Sequence, residues 1–262
     1  FVSLMNLHMA LLNEQAGNFF EADKIYKKAI GKIDEAPLRL LRARGAFLER
    51  RDRKDEAKKL YESYLKINPA SYLIGYELRR LQENRSVRSI ADDIISGFAE
   101  GMFNLASALP VSRVGAAALL YARIATYLKP DFPVAQLLMG DILDSSGRHG
   151  DSIEIYKLIG KETSYSWLAR LKMAENLNIT GRLNEAKDLL EAMAKERPAQ
   201  TDPLVRLGSF LRLKEDYQGA VDAYNRAFER LGGEEPRNWM LFYYRGISLE
   251  RLKKWDLAEK DF

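Results

Sequence analysis

The chain has no cysteine, which excludes disulfide frameworks, thiolate zinc and iron–sulfur sites and cysteine nucleophiles. Histidine is nearly as scarce: His8 and His149 are the only two, too few for a three-histidine metal centre and a poor basis for imidazole acid–base chemistry. No uncharged apolar run approaches the ~18 residues that a membrane-spanning helix needs, so the segment is expected to be soluble. No charged and then apolar leader opens it at Phe1. Phosphate loops, dinucleotide-binding glycine turns, H-E-x-x-H helices and G-x-S-x-G elbows are all missing. No catalytic, cofactor or metal site is therefore expected, and no small-molecule substrate.

What is present is the material of a folded, repetitive protein. Hydrophobic residues make up 47% of the 262, and 41 basic residues nearly balance 37 acidic ones, a composition that excludes disorder. A small residue is followed twelve positions later by another in seven places: Ala10 and Ala22, Gly45 and Ala57, Ala106 and Ala118, Gly140 and Ser152, Ala174 and Ala186, Gly208 and Ala220, Gly246 and Ala258. Ala106, Gly140, Ala174 and Gly208 are spaced 34 residues apart. Four residues beyond the second member stands a larger packing residue in most repeats: Tyr26, Tyr61, Tyr156, Leu190, Tyr224 and Phe262, with Ala122 the exception.

Two antiparallel helices approach to ~8–10 Å only where small side chains meet at the crossing. One small residue comes from each helix, and the chain turns between them, with Gly17, Gly147 and Gly181 at left-handed C-cap positions. Phe19, Leu183, Tyr217 and Trp255 follow two residues beyond that position, and Pro69, Pro130 and Pro198 stop the second helices. No alternating strand pattern competes, so the class is all-α.

This pattern resembles the tetratricopeptide-repeat family, a helix-turn-helix unit of about 34 residues. The fullest match is Leu204-Val-Arg-Leu-Gly-Ser-Phe-Leu followed by Tyr217-Gln-Gly-Ala220-Val-Asp-Ala-Tyr224-Asn-Arg-Ala227. The resemblance implies a right-handed superhelical solenoid with repeats at 3–36, 38–71, 99–132, 133–166, 167–200, 201–234 and from 239 to the end. The domain reading is two N-terminal repeats over 3–71, an irregular elbow over 72–98, four repeats over 99–234 and a shortened seventh over 239–262. In the elbow, Tyr72 to Leu81 reads as one helix, 84–89 as a polar joint and Ile90 to Leu109 as one long helix. The seventh repeat stops at Phe262, and the chain is expected to be part of something longer. The runs Phe98-Ala-Glu-Gly-Met-Phe-Asn-Leu-Ala-Ser and Leu119 to Phe132 resemble large bacterial repeat proteins bearing an export signal, which implies the periplasm or cell envelope and leaves the cytoplasm open.

The family's inner face takes the second, fifth, sixth, ninth, twelfth and thirteenth positions of each repeat. In the middle repeats these give an apolar line of Val134, Leu137, Leu168, Leu171 and Val205, continued by Tyr243. Beside it lie Asp141, Asp144, Glu175 and Asn178, with Lys172, Arg206 and Arg212 bringing positive charge. Such a groove suits an amphipathic helix or extended peptide carrying some Lys or Arg, although part of the apolar line is expected to pack between repeats. The ninth positions, Leu11, Ala46, Ser107, Asp141, Glu175, Ser209 and Ile247, lack the Lys and Asn of family members that clamp chaperone C-termini.

From Leu38 to Glu62 nine basic residues, Arg39 through Lys59, face five acidic ones. The excess of four equals the net charge of the whole chain, +4. The cluster is either a solvated helix face or a surface for phosphate or an acidic partner. His8 and His149 read as packing residues, and the adjacent carboxylates Asp92–Asp93 and Glu234–Glu235 as solvated or capping groups. The function expected is a non-enzymatic protein-interaction scaffold. Two alternatives stand: the repeat region of a larger enzyme, and a nucleic-acid or acidic-partner module acting through the basic second repeat. Self-association through uncapped apolar ends, at 1–12 and in the seventh repeat, is a further expectation.

Overall fold

The computed structural model describes residues 2–87, 89–91, 93–231 and 238–262, with side chains at all of these except 2–4 and 111–113. Fifteen α-helices and no strand occur among the described residues. They are α1 Val2–Gln15, α2 Phe19–Ile30, α3 Leu38–Arg50, α4 Lys54–Ile67, α5 Tyr72–Gln82, α6 Ile94–Ala108, α7 Val111–Leu128 and α8 Pro133–Ser145. There follow α9 His149–Lys157, α10 Ser166–Ile179, α11 Leu183–Glu196, α12 Asp202–Leu213, α13 Tyr217–Leu231, α14 Trp239–Arg251 and α15 Trp255–Asp261. None of the described helices is long and apolar enough to cross a membrane.

Within each unit the small-residue series marks the helix seams. The described members of all seven pairs are buried, Ala10, Ala22, Ala57, Ala174, Ala186 and Ala220 completely. At Gly208 a β-carbon would lie 2.5 Å from Cε1 of Tyr224, so only the missing side chain lets the ring lie across the helix. Gly45 stands in the same relation to Tyr61, and a β-carbon at Gly246 would lie 2.9 Å from Cε1 of Phe262. In each case the aromatic ring is sixteen residues on, the packing position of the repeat.

The hairpin turns share one geometry with two kinds of residue. Gly17, Gly147 and Gly181 take positive φ of 78°, 72° and 79°. Asp52, Glu215 and Lys253 take φ of 59°, 64° and 60° at the equivalent place in other turns, where a side chain costs ~1–2 kcal/mol. Helices α4, α7 and α11 each end two residues before Pro69, Pro130 and Pro198.

The chain divides into two compact units, the first Phe1–Ser146 with Leu158–Trp167, the second Gly147–Lys157 with Leu168–Phe262. The expected elbow at 72–98 is not a boundary between them. Ile74, Leu81 and Ala91 join the same buried core as Leu7, Tyr26, Leu40, Phe47 and Tyr61. Gln15 on α1 donates to the carbonyls of Ala91 and Asp93 at 3.1 and 3.2 Å, which fastens the segment before α6 to the first hairpin. Helix α6 starts at Ile94 rather than Ile90, because the Asp93 side chain caps it by accepting the Ser96 N–H at 2.7 Å. Asp92, Glu234 and Glu235 lie outside the described residues, as does Phe1.

Candidate partner-binding surface

In the first unit the inner-face positions of the second repeat are already occupied. Arg39, at the second position, pairs with the fully buried Glu100 of α6 and lies 5.3 and 5.5 Å from the rings of Phe103 and Phe132. Arg42, at the fifth, donates to Glu77 at 2.6 and 3.0 Å and to Ser164 at 2.8 Å, bonds the Tyr165 hydroxyl and lies 4.8 Å from that ring. Glu49, at the twelfth, accepts from Tyr61 at 2.9 Å and from Arg80 at 2.6 Å. Arg50, at the thirteenth, pairs with Glu14, which also accepts from Tyr26. Arg53 and Arg44 converge on Asp23 at 2.8 and 3.5 Å.

The arginines of the basic cluster are therefore largely drawn into the packing, while Lys54, Lys58 and Lys59 stay exposed on α4. Five of its arginines tie α3 and the start of α4 to carboxylates on α1, α2, α5 and α6, and a sixth, Arg51, lies 3.9 Å from the ring of Phe19. A positive patch attracts phosphate only if its charge is uncompensated. Burial opposes ionisation of Asp23, yet the hydrogen bonds from Arg53 and Lys27 prevail and hold its carboxyl below the usual range. Burial raises the hydroxyl pKa of Tyr26 and of Tyr61, which keeps both as donors to their glutamates.

The second unit has a different inner face. Leu168, Lys172, Glu175 and Asn178 on α10, and Val205 and Arg206 on α12, are half-buried, while Tyr243 on α14 is 49% exposed. Glu175 pairs with Arg206 across α10 and α12, so the acid expected to attract a basic ligand has its counter-ion beside it. Arg212 lies 4.8 Å from the ring of Tyr244, and Tyr243 meets Phe262 edge-on at 6.2 Å. Two buried polar atoms here have no hydrogen-bond partner: Oδ1 of Asn178 and Nε of Arg212. Both residues occupy the twelfth position of their repeats.

The twelve expected site residues separate accordingly. Leu137 and Leu171 are buried at 7% and 2% exposure and serve the core, although they share the fifth position of the repeat with half-buried Val205 and exposed Tyr243. Val134 is half-buried against the cluster containing Phe103 and Phe132. Asp141 and Asp144 are half-buried on α8 in the first unit. Leu168, Lys172, Glu175, Asn178, Val205, Arg206 and Tyr243 lie on the three first helices of the second unit's hairpins. Arg212 belongs with them by its position. His149 is half-buried at the start of α9, and His8 lies 2.8 Å from the Asn104 amide nitrogen through Nε2, its pKa lowered chiefly by burial.

Paired helices, small-residue seams and aromatic packing positions at a fixed spacing define an all-α tetratricopeptide-repeat fold. Comparison with solved structures gives the same fold. MamA (residues 41 to the end) from Desulfovibrio magneticus RS-1 aligns with 63% of this chain and 90% of its own at 18% identity and a TM-score of 0.52. A second MamA structure aligns with 63% and 88% at 16% identity and a TM-score of 0.53. PilW, a type IV pilus biogenesis factor, aligns with 84% and 89% at 16% identity and a TM-score of 0.49. No family model matches the sequence, and no curated protein does.

Proposed function

We propose that the chain is a non-enzymatic protein-interaction scaffold that holds a peptide segment along α10, α12 and α14 of its second unit. The observation that carries this reading is the pair of unsatisfied groups, an acceptor on Asn178 and a donor on Arg212, at equivalent positions of successive repeats. Buried polar groups are normally hydrogen-bonded. An extended peptide supplies a backbone N–H for one and a carbonyl for the other. Leu168, Val205 and Tyr243 provide apolar contact beside them, so the proposed ligand is an amphipathic segment. The Glu175–Arg206 pair offers it one charge of each sign. A bacterial envelope location belongs to the same proposal, supported by the likeness of the Phe98 and Leu119 runs to exported repeat proteins; cell fractionation tests it.

Selection of a displayed peptide library on the immobilised chain tests the site. Peptides retained by the wild type should be lost from Asn178→Ala/Arg212→Met and weakened by Tyr243→Ala, with circular dichroism unchanged. Equal retention by the folded double variant would move the site elsewhere.

A further inference from the structure

Helices α1 and α6 each carry a single charged side chain, and both point inward: Glu14 to Arg50 and Tyr26, Glu100 to Arg39. The opposite faces of these helices are apolar and exposed. Leu12, Ile94, Phe98 and Leu105 are between 48% and 74% exposed, and Met5 and Met9 continue the line from Leu12 at helical spacing. Between the helices lies a cleft of about 560 Å³ whose described lining holds no charged side chain. Its polar members are His8 and Asn104, bonded to each other, and Gln15, bonded to backbone carbonyls. A helix apolar on both faces is normally covered on both.

We propose that this face is a two-fold interface between copies of the chain, with Phe98 of one copy seated in the α1–α6 cleft of the other. The area fits. Six large side chains at this exposure present roughly 100 Å² each, a sum on the order of 600 Å², most of the ~800 Å² per partner in a standard interface. The charge pattern also fits. Groups near a two-fold axis face their own copies, so a charge there repels itself. The described lining of the cleft has none, because both of its helices turn their carboxylates inward. The shape is self-complementary, a projecting Phe98 beside an open cleft. Gly97 and Gly101 have nothing within 4 Å of where a β-carbon would stand, leaving the approach to α6 unobstructed.

Sedimentation of the whole chain from low micromolar to several hundred micromolar tests the proposal. A monomer–dimer equilibrium is expected, and Phe98→Glu should weaken it about tenfold or more, as loss of a central anchor does. Tyr127→Glu, an exposed position on α7 outside the cleft, should leave it unchanged. Because the chain has no cysteine, Gly101→Cys gives an independent arm that does not depend on how Phe98→Glu folds: mild oxidation should yield a disulfide-linked dimer. A monomer throughout the range, a dimer indifferent to folded Phe98→Glu, or no cross-link through Cys at 101 would each overturn the interface. A monomer retaining an aliphatic molecule in native mass spectrometry would do so as well, and would give the cleft to a small apolar ligand.

Discussion

The two compact units use the same hairpin and hold it together differently. In the first, charge is taken into the packing: Arg80 joins Glu49 and Glu77 with all three buried, and Arg39 reaches Glu100 from 61 residues away. In the second, the Arg226–Glu191 pair, at 2.7 and 2.8 Å, is partly exposed, and charge enters the packing chiefly near the end, where Arg245 meets the buried carboxylate of Asp261. The difference is what directs the proposed partner surface to the second unit. Inner-face positions filled by arginines and their carboxylates are spent on cohesion, whereas α10, α12 and α14 keep theirs half-buried or exposed apart from Leu171.

The sharpest test of this contrast is Arg80→Ala, which leaves the buried Glu49 without a counter-ion and Glu77 with Arg42 alone, and should cost ~3–5 kcal/mol in equilibrium denaturation. Arg226→Ala, its partly exposed counterpart, should cost under ~1 kcal/mol. Equal losses would erase the distinction. Next comes what the units share: Gly45→Ala and Gly208→Ala should each cost ~1–3 kcal/mol by overpacking against Tyr61 and Tyr224. A penalty in only one would show that the seam is not common to both.

Acid should act on both units, in the first through His8 and Asp23 and in the second through Glu191, whose carboxyl the Arg226 hydrogen bonds hold low. His8 has a lowered pKa, so the unfolded chain binds the proton more readily and stability falls as pH drops below 6.5 towards the folded value. Asp23 is lowered as well; its contribution is present above 3.8 and is lost as pH falls from there through the folded value. Thermal melts against pH should flatten in the upper window for His8→Gln and in the lower one for Asp23→Asn. The smallest effect is a gain: Glu215→Gly relieves a positive φ and should stabilise by about 1 kcal/mol in the same denaturation assay.

The hairpins were legible in the sequence because their determinants are local. A small residue, another at twelve and a ring at sixteen mark a seam whatever surrounds it, and Gly208 with Tyr224 shows why. The arginine network was not legible. Its partners lie on other hairpins, as with Arg42 and Tyr165, 123 residues apart, and nothing in an Arg-rich helix announces which arginines turn inward. One signal was available: Glu14 and Glu49 each stand twelve residues before a packing tyrosine, Tyr26 and Tyr61, and each accepts from it. The proposed binding face was legible only in part, since helical position separates inner from outer but not Leu171, which is buried, from Leu168, which is half-buried.

Repeat arrays commonly change length by gaining or losing whole hairpins, because each one meets only its neighbours. Helix α3 and the turn after it break that freedom. Excising them would remove Arg39, Arg42, Arg44, Arg50 and Arg53 together and leave Glu14, Asp23, Glu77 and Glu100 without these counter-ions. The first unit is thus fixed in copy number by its own electrostatics, and recombination that lengthens or shortens this protein is tolerable only beyond it.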